Sequence, residues 1–294
     1  MISALIESMR PRQWTKNLIL FAGVIFAQRL RDGEALAASF IAFALFCLLS
    51  SAVYLINDLM DAEADRQHPV KRNRPIASGR LQPAVALVAA LIFVIIGLGL
   101  AFWMDLILGA MALAYFLLSA TYSITVKHIV ILDAMSVAIG FAIRAAAGSE
   151  AIHVPISPWL LLCALLLALF LALTKRRHEL LLLESNAVSH RPILAEYSLY
   201  LLDQMIAVVT ASTLVCYSLY TLWPETVHKF GTHNLALTIP FVLFGILRYL
   251  YLVHQKGEGG RPERILVGDP PFVINMVLWL VVVVAVLYGR EIFR

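Results

Sequence analysis

The sequence predicts an all-α integral membrane fold: one domain, residues 1–294, arranged as a bundle of nine transmembrane helices around a cytoplasm-facing cavity. Three observations carry this expectation. Of the 294 residues, 61% are hydrophobic and only 14% charged, and the mean hydropathy is +0.84, a balance outside that of soluble globular domains. Uncharged stretches of spanning length recur along the chain. The basic residues gather in alternate connections between those stretches. A bilayer core of roughly 30 Å takes about 20 apolar residues per helix, so the length accommodates around nine spans with short loops and no appended soluble domain.

In chain order, residues 17–28 form a short apolar stretch that uses Trp14 as an interfacial end. Residues 35–56, 83–104 and 106–126 are uncharged and long enough to cross. The stretch 129–148 carries Asp133 and Arg144 inside it, charges that a bilayer tolerates only with a partner or a cavity. Residues 151–174 and 204–224 are again clear spans, 234–253 holds Pro240 and Arg248, and 270–289 closes the series. The opening residues lack a long apolar core before a small-residue cleavage site, so no removable signal peptide is expected.

A cytoplasmic N-terminus puts most of the 23 lysines and arginines on the inner side, from Arg10, Arg12 and Lys16 to Arg261 and Arg264, and leaves few, such as Arg29 and Arg294, opposite. The positive-inside rule therefore predicts a multi-pass protein of the inner (plasma) membrane, with N-terminus and active face cytoplasmic. The net charge of +4 is then mostly a topological bias, and nucleic acid is not implied. Cys47, Cys163 and Cys216 each sit in an apolar run, without a disulfide framework or CxxC pair. The eight histidines show no ligand pair at helical spacing, which argues against a zinc hydrolase. The lone serines and cysteines have no visible base, which argues against a nucleophilic triad.

The most informative stretch continues directly from the second span: Asn57, Asp58, Asp61 and Asp65. At 100° per residue Asp61 lies about 60° and Asp65 about 20° from Asp58, so three carboxylates share one face over roughly 10 Å of helix. Like charges that close call for a cation among them. Hard oxygen ligands with coordination left over for substrate phosphates suit Mg²⁺. The bland alternative is an acidic amphipathic end in water. Against it, a helix C-terminus already favours cations, and Asp is a weak helix former.

Prolines then break the helix, and Lys71, Arg72 and Arg74 fall in a constrained loop beside the aspartates. Metal plus fixed cations describes a diphosphate clamp. A purely topological basic loop explains the charges but not their adjacency to the acids. After the fourth span, Tyr122, Lys127 and Asp133 are placed to face this cluster. Arg144, three turns beyond Asp133, needs a cavity or a partner, and an Asp133–Arg144 pair is the structural alternative. Lys175, Arg176 and Arg177 follow the sixth span; they are phosphate contacts if that helix end faces the site and plain anchors if not.

Asn57, Asp58, Asp61 and Asp65 fit without a gap the Asn-Asp-x-x-Asp-x-x-x-Asp signature of the UbiA-type membrane prenyltransferase superfamily, which the chain resembles over almost its whole length. Arg10-Pro-Arg-Gln-Trp-Thr-Lys16-Asn17, Lys71-Arg-x-Arg-Pro-Ile-Ala-Ser-Gly79, Tyr122-Ser123 with Lys127 and Leu132-Asp133, Gly140-Phe141 with Arg144, and Lys175-Arg176 with Glu179 resemble one branch, the decaprenyl-phosphate phosphoribosyltransferases. That resemblance implies transfer of 5-phosphoribose from phosphoribosyl diphosphate to a polyprenyl phosphate in the bilayer, with release of diphosphate. Mg²⁺ is expected on Asn57, Asp58, Asp61 and Asp65, with Asp58 and Asp61 catalytic. Substrate contacts are expected from Lys16, Asn17, Lys71, Arg72, Arg74, Tyr122, Lys127, Asp133, Arg144, Lys175 and Arg176. The aromatic prenyltransferase branches carry a second Asp-x-x-x-Asp after span four. Here Asp133 stands alone, which argues against prenyl transfer to an aromatic or quinone precursor. A transporter is the further rival, and it is disfavoured because the charges cluster at one membrane face.

Overall fold

The structure is a computed structural model that describes residues 1–69, 71–155, 157–185, 192–260, 265 and 268–292. Val70 of the basic loop, and Arg261, Arg264 and Arg294 of the charge bias, lie outside the described residues. The described elements are helical throughout: α1 (Ile2–Met9), a 3₁₀ segment (Pro11–Phe21), α2 (Ala22–Phe26), α3 (Gly33–Met60), α4 (Ala62–Gln67), α5 (Pro83–Met104), α6 (Leu106–Ile124), α7 (Leu132–Glu150), α8 (Pro158–Ser185), α9 (Leu199–Leu222), α10 (Pro224–Phe230), α11 (Ile239–Gln255) and α12 (Pro270–Ile292). Among them, eight helices are long and apolar enough to cross a membrane.

The first expected span takes a different form. Its residues run as the 3₁₀ segment, entered from Arg10 in a left-handed conformation with Pro11 at the first position, and then as α2. A 3₁₀ helix rises about 2.0 Å per residue against 1.5 Å for an α-helix. Within the expected span the helical residues 17–26 rise only about 18 Å, short of the roughly 30 Å hydrocarbon core, and this stretch is not among the eight spanning helices. Small residues let it lie backbone against backbone on α7: a Cβ on Gly23 would sit 2.6 Å from the Gly148 carbonyl oxygen, and one on Gly148 would overlap the Leu20 carbonyl.

The chain divides into two compact units, residues 1–127 with 139–156, and residues 128–138 with 157–294. In the first, α3 packs on α5, α6, α1 and the 3₁₀ segment. Its core has one layer of Leu20, Leu45, Phe46, Leu49, Leu108 and Tyr115, and another, toward the end of α3 that carries the aspartates, of Leu55, Ile76, Leu81, Ala86 and Ala90. Asp32 caps α3 through the amides of Glu34 and Ala35, and Asp105 caps α6 through those of Ile107 and Leu108. In the second unit α8 packs along α9, around Phe170, Leu173, Leu202, Ile206, Tyr249 and Leu252. The in-span Arg248 is answered by Asp269, whose two carboxylate oxygens accept from its Nε at 3.1 Å and Nη2 at 2.8 Å. Ile95 and Trp103 of α5 and Val208 of α9 are exposed, the apolar outer surface of a protein whose solvent on that side is lipid.

Candidate active site: a carboxylate face and its cations

The last turns of α3 and the short α4 place Asn57, Asp58, Asp61 and Asp65 along one face, as the 100° periodicity requires. Asp58 and Asp65 are buried, so this is not an acidic helix end in water. Each carboxylate holds a cation delivered from another part of the first unit. Arg74 Nη1 donates to Asp58 Oδ1 at 3.1 Å and to Asp65 Oδ2 at 2.6 Å, bridging the two. Arg10 Nη2 donates to the same Asp58 oxygen at 2.6 Å, with its guanidinium 4.8 Å from the Tyr54 ring centre. Lys127 Nζ lies 3.4 Å from Asp61 Oδ1, and Asn57 Nδ2 donates to Asp61 Oδ2 at 3.1 Å. Like charges are thus held together by shared donors.

The loop that presents Arg74 is rigid for local reasons. The Ser78 amide bonds the Arg74 carbonyl, the Gly79 amide that of Ile76, and the Leu81 amide that of Pro75. Gly79 sits at φ +78, a conformation glycine adopts without strain, and Ile76 and Leu81 are buried beneath. Lys71 and Arg72 ride on a 3₁₀ turn (Lys71–Asn73); Arg72 is exposed and Lys71 half-buried. Arg80 ties the loop to α1 by donating to both Glu7 carboxylate oxygens, at 2.8 and 3.0 Å, and to the Asn73 carbonyl at 2.7 Å. Arg80's hydrogen bonds hold the Glu7 carboxyl below the usual carboxylate range.

Deeper in the same unit, Arg144 is buried. Its Nε donates to the Gly140 carbonyl and its Nη1 to Asn17 Oδ1, both at 3.0 Å, with the guanidinium over the rings of Phe141 (4.2 Å) and Tyr115 (5.1 Å). Asn17 is fully buried and passes its amide hydrogens to Cys47 Sγ at 3.2 Å and Ser50 Oγ at 3.5 Å. Lys16 and Tyr122 are half-buried in this unit.

Asp133 and Arg176 fall in the second unit, and the partner of Asp133 is Arg176, where Arg144 was the structural alternative. Arg176 Nε donates to Asp133 Oδ2 at 2.5 Å and its Nη1 to Glu179 at 2.6 Å. Asp133 Oδ1 accepts from the Tyr197 hydroxyl at 2.8 Å, and that hydroxyl accepts from the Ile131 amide at 2.7 Å, fixing a turn in which Ile131 is at φ +69. Burial, with the Asp133 bond adding to it, pushes the Tyr197 phenol up to about 12, so it is a hydrogen-bond donor at neutral pH. Lys175 is exposed, 4.0 Å from Glu179, and Arg177 pairs with Asp203 at 2.6 Å. Among the residues of these networks that were not singled out as site residues from sequence are Arg10 and Tyr197. Arg10 was visible only as part of the N-terminal motif, and Tyr197 carried no local signal.

Residues 18–265 match the profile of the UbiA prenyltransferase family. A decaprenyl-phosphate phosphoribosyltransferase of Mycolicibacterium smegmatis is 34% identical over 98% of this chain and 93% of its own length. One from Corynebacterium glutamicum is 33% identical over 98% and 88%. A UbiA homologue from Archaeoglobus fulgidus, solved bound to GPP and Mg²⁺, superposes with a TM-score of 0.72 over 97% of this chain and 99% of that one, at 17% identity. With its multiple apolar helices, its buried aspartate signature and these relatives, this multi-pass membrane protein belongs to the UbiA prenyltransferase family.

Proposed function

We propose that the protein is a Mg²⁺-dependent membrane pentosyltransferase, carrying 5-phosphoribose from phosphoribosyl diphosphate to a polyprenyl phosphate of decaprenyl type. The observation that carries this reading is the carboxylate face itself, with Asp58, Asp61 and Asp65 gathered on cations from three remote segments. The identity to the two phosphoribosyltransferases over nearly the whole chain supports the choice of substrates. So does Asp133, which is fully buried and bonded to Arg176 and Tyr197, an arrangement that leaves it poorly suited to a second metal motif.

The donor set fits a hard divalent ion: three carboxylates and the Asn57 amide on one face, with Arg74 already showing that positive charge is accommodated between Asp58 and Asp65. When bound, Mg²⁺ would supply charge neutralisation to the departing diphosphate. The protein's own groups do the rest. Arg10, Arg74 and Lys127, which neutralise the aspartates here, turn onto donor phosphates when the aspartates are otherwise satisfied. Lys71 and Arg72, on the adjacent turn, add charge for the 5-phosphate. Lys16, Asn17 and Tyr122 line the same unit, and Arg144 orients Asn17. Lys175, exposed at the end of the sixth expected span, is a further candidate phosphate contact, while Arg176 is bonded to the buried Asp133. The lipid phosphate attacks the ribose anomeric carbon as the diphosphate leaves. Already anionic at neutral pH, it needs no general base. The reading keeps residues 1–294 as one catalytic domain with its reactive face in the cytoplasm, where a soluble donor arrives.

Mass spectrometry of the lipid extract after incubation with phosphoribosyl diphosphate, decaprenyl phosphate and Mg²⁺ tests this directly. A lipid heavier by one phosphoribosyl group, absent when the ion is chelated, is the expected result. An enzyme prenylating an aromatic acceptor would leave labelled donor out of the lipid phase, and a transporter would accumulate solute without covalent change. Either result overturns the proposal.

A further inference from the structure

One helix length away from the aspartates, at the opposite membrane face, three side chains of the first unit converge. Asp105 follows α5, which rises about 33 Å from the basic loop. Glu150 is the last residue of α7, and His153 lies in the turn after it. One ligand atom from each lies within 4.8 Å of the others. Asp105 and Glu150 are half-buried. Asp105 commits Oδ1 to its helix cap, accepting from the amides of Ile107 at 2.7 Å and Leu108 at 2.9 Å, which leaves Oδ2 to point elsewhere. Glu150 sits at a helix C-terminus, where the macrodipole adds negative potential. Among the described residues neither carboxylate forms an ion pair, whereas Asp58, Asp61 and Asp65 all do. The His153 amide bonds the Glu150 carbonyl at 2.9 Å, closing the turn that carries the exposed His153 at φ +52.

We propose that Asp105, Glu150 and His153 form a second divalent-metal site, a clasp for an ion such as Zn²⁺ between the α5–α6 turn and the end of α7. The imidazole decides the class of ion. Mg²⁺ and Ca²⁺ take oxygen ligands, whereas one imidazole and two carboxylates suit a borderline ion bound at about 2.0–2.2 Å. Ligand atoms already this close reach such distances by side-chain rotation, and three protein ligands leave a coordination position for water. The charge balance is consistent: two carboxylates without a basic partner receive two positive charges. The site stands apart from the aspartate face, so it holds or fails independently of the proposed transferase reaction.

Zinc titration of the purified full-length protein in detergent, followed calorimetrically in excess Mg²⁺, tests the assignment. One Zn²⁺ per chain is expected, with D58N/D61N leaving the affinity unchanged and His153→Ala and Glu150→Gln each weakening it tenfold or more. Thermal unfolding provides a second readout: Zn²⁺ raises the midpoint of the wild type but not that of His153→Ala. The proposal is overturned by the absence of stoichiometric binding, by binding that D58N/D61N abolishes, or by equal zinc responses in the wild type and His153→Ala.

Discussion

The two groups of buried ionic residues use the same chemistry in opposite ways. Around Asp58 and Asp65 the carboxylates are covered but the cations are not: Asp58 is 3% exposed, while Arg10 and Arg74 are 29% and 26% exposed. Around Asp133 both partners are dry, Arg176 at 5% and Asp133 at 0%. A cation with one side in water can leave its carboxylate and be resolvated at little cost, whereas a sealed pair cannot separate without stranding a charge in low dielectric. The first arrangement suits a site that must exchange counter-ions during each turnover. The second suits a fixed joint.

Removing carboxylates from the open group therefore tests catalysis with the least disturbance of the fold. Asp58→Ala and Asp61→Ala are each expected to lower Mg²⁺-dependent product formation by about 10²–10³-fold or more, while the protein inserts and runs as a monodisperse species in size-exclusion chromatography. Near-normal rates in both variants refute the metal assignment. The sealed group predicts the reverse pattern. Asp133→Ala leaves Arg176 with only Glu179 among its named acidic partners, and breaking a buried pair costs about 3–5 kcal/mol. Thermal unfolding in detergent is expected to shift down strongly, with Tyr197→Phe shifting it less, since it removes one hydrogen-bond donor worth about 1–3 kcal/mol when its partners are left buried. If Asp133→Ala melts like the wild type, the contrast between the groups fails.

A smaller effect separates cations within the first unit. Lys127 touches Asp61 directly, whereas Arg144 is bonded to Asn17 and Gly140. Lys127→Ala is expected to raise the donor concentration needed for half-maximal rate about tenfold, a loss of one charge-assisted contact, and Arg144→Ala to raise it as well through the displaced Asn17. Initial rates against phosphoribosyl diphosphate concentration measure both, and unchanged curves in the two variants remove these residues from donor binding.

Much of this contrast was legible before any coordinates, and the part that was not has a common cause. Local periodicity placed Asp58, Asp61 and Asp65 on one face, because helix geometry alone decides which residues share a side. The prolines announced a constrained basic loop. Hydropathy located eight of the nine expected spans, with 151–174 displaced to Pro158–Leu182, and the form of the stretch 17–28 escaped, since the close approach of Leu20 and Gly23 to Gly148 is not visible in apolar length. Partner choice was beyond reach: Arg10 meets Asp58 across 48 residues and Tyr197 meets Asp133 across 64. No pattern within a helix turn encodes such pairings. The convergence of Asp105, Glu150 and His153 was hidden for the same reason, because a search for histidines at helical spacing does not detect ligands that tertiary structure brings together.

The Glu7–Arg80 pair marks the lower end of the scale, where a salt bridge ties the basic loop to α1 at the surface. Both side chains are about half exposed, 50% and 49%, so solvent screening keeps the pair's contribution small despite its two-pronged geometry. The sign of its pH dependence follows from the lowered Glu7 pKa. A carboxyl whose folded pKa is depressed binds its proton less readily in the folded state, so the pair's stabilisation is fully present above the ordinary carboxylate range. It is lost as pH falls through the depressed value. Arg80→Ala is therefore expected to lower the unfolding midpoint slightly at neutral pH, with the difference from the wild type shrinking as the pH drops below the ordinary range. A difference that grows on acidification would mean that Arg80 acts through the Asn73 carbonyl and the loop rather than through Glu7, and would move the loop's anchor from the ion pair to the backbone contact.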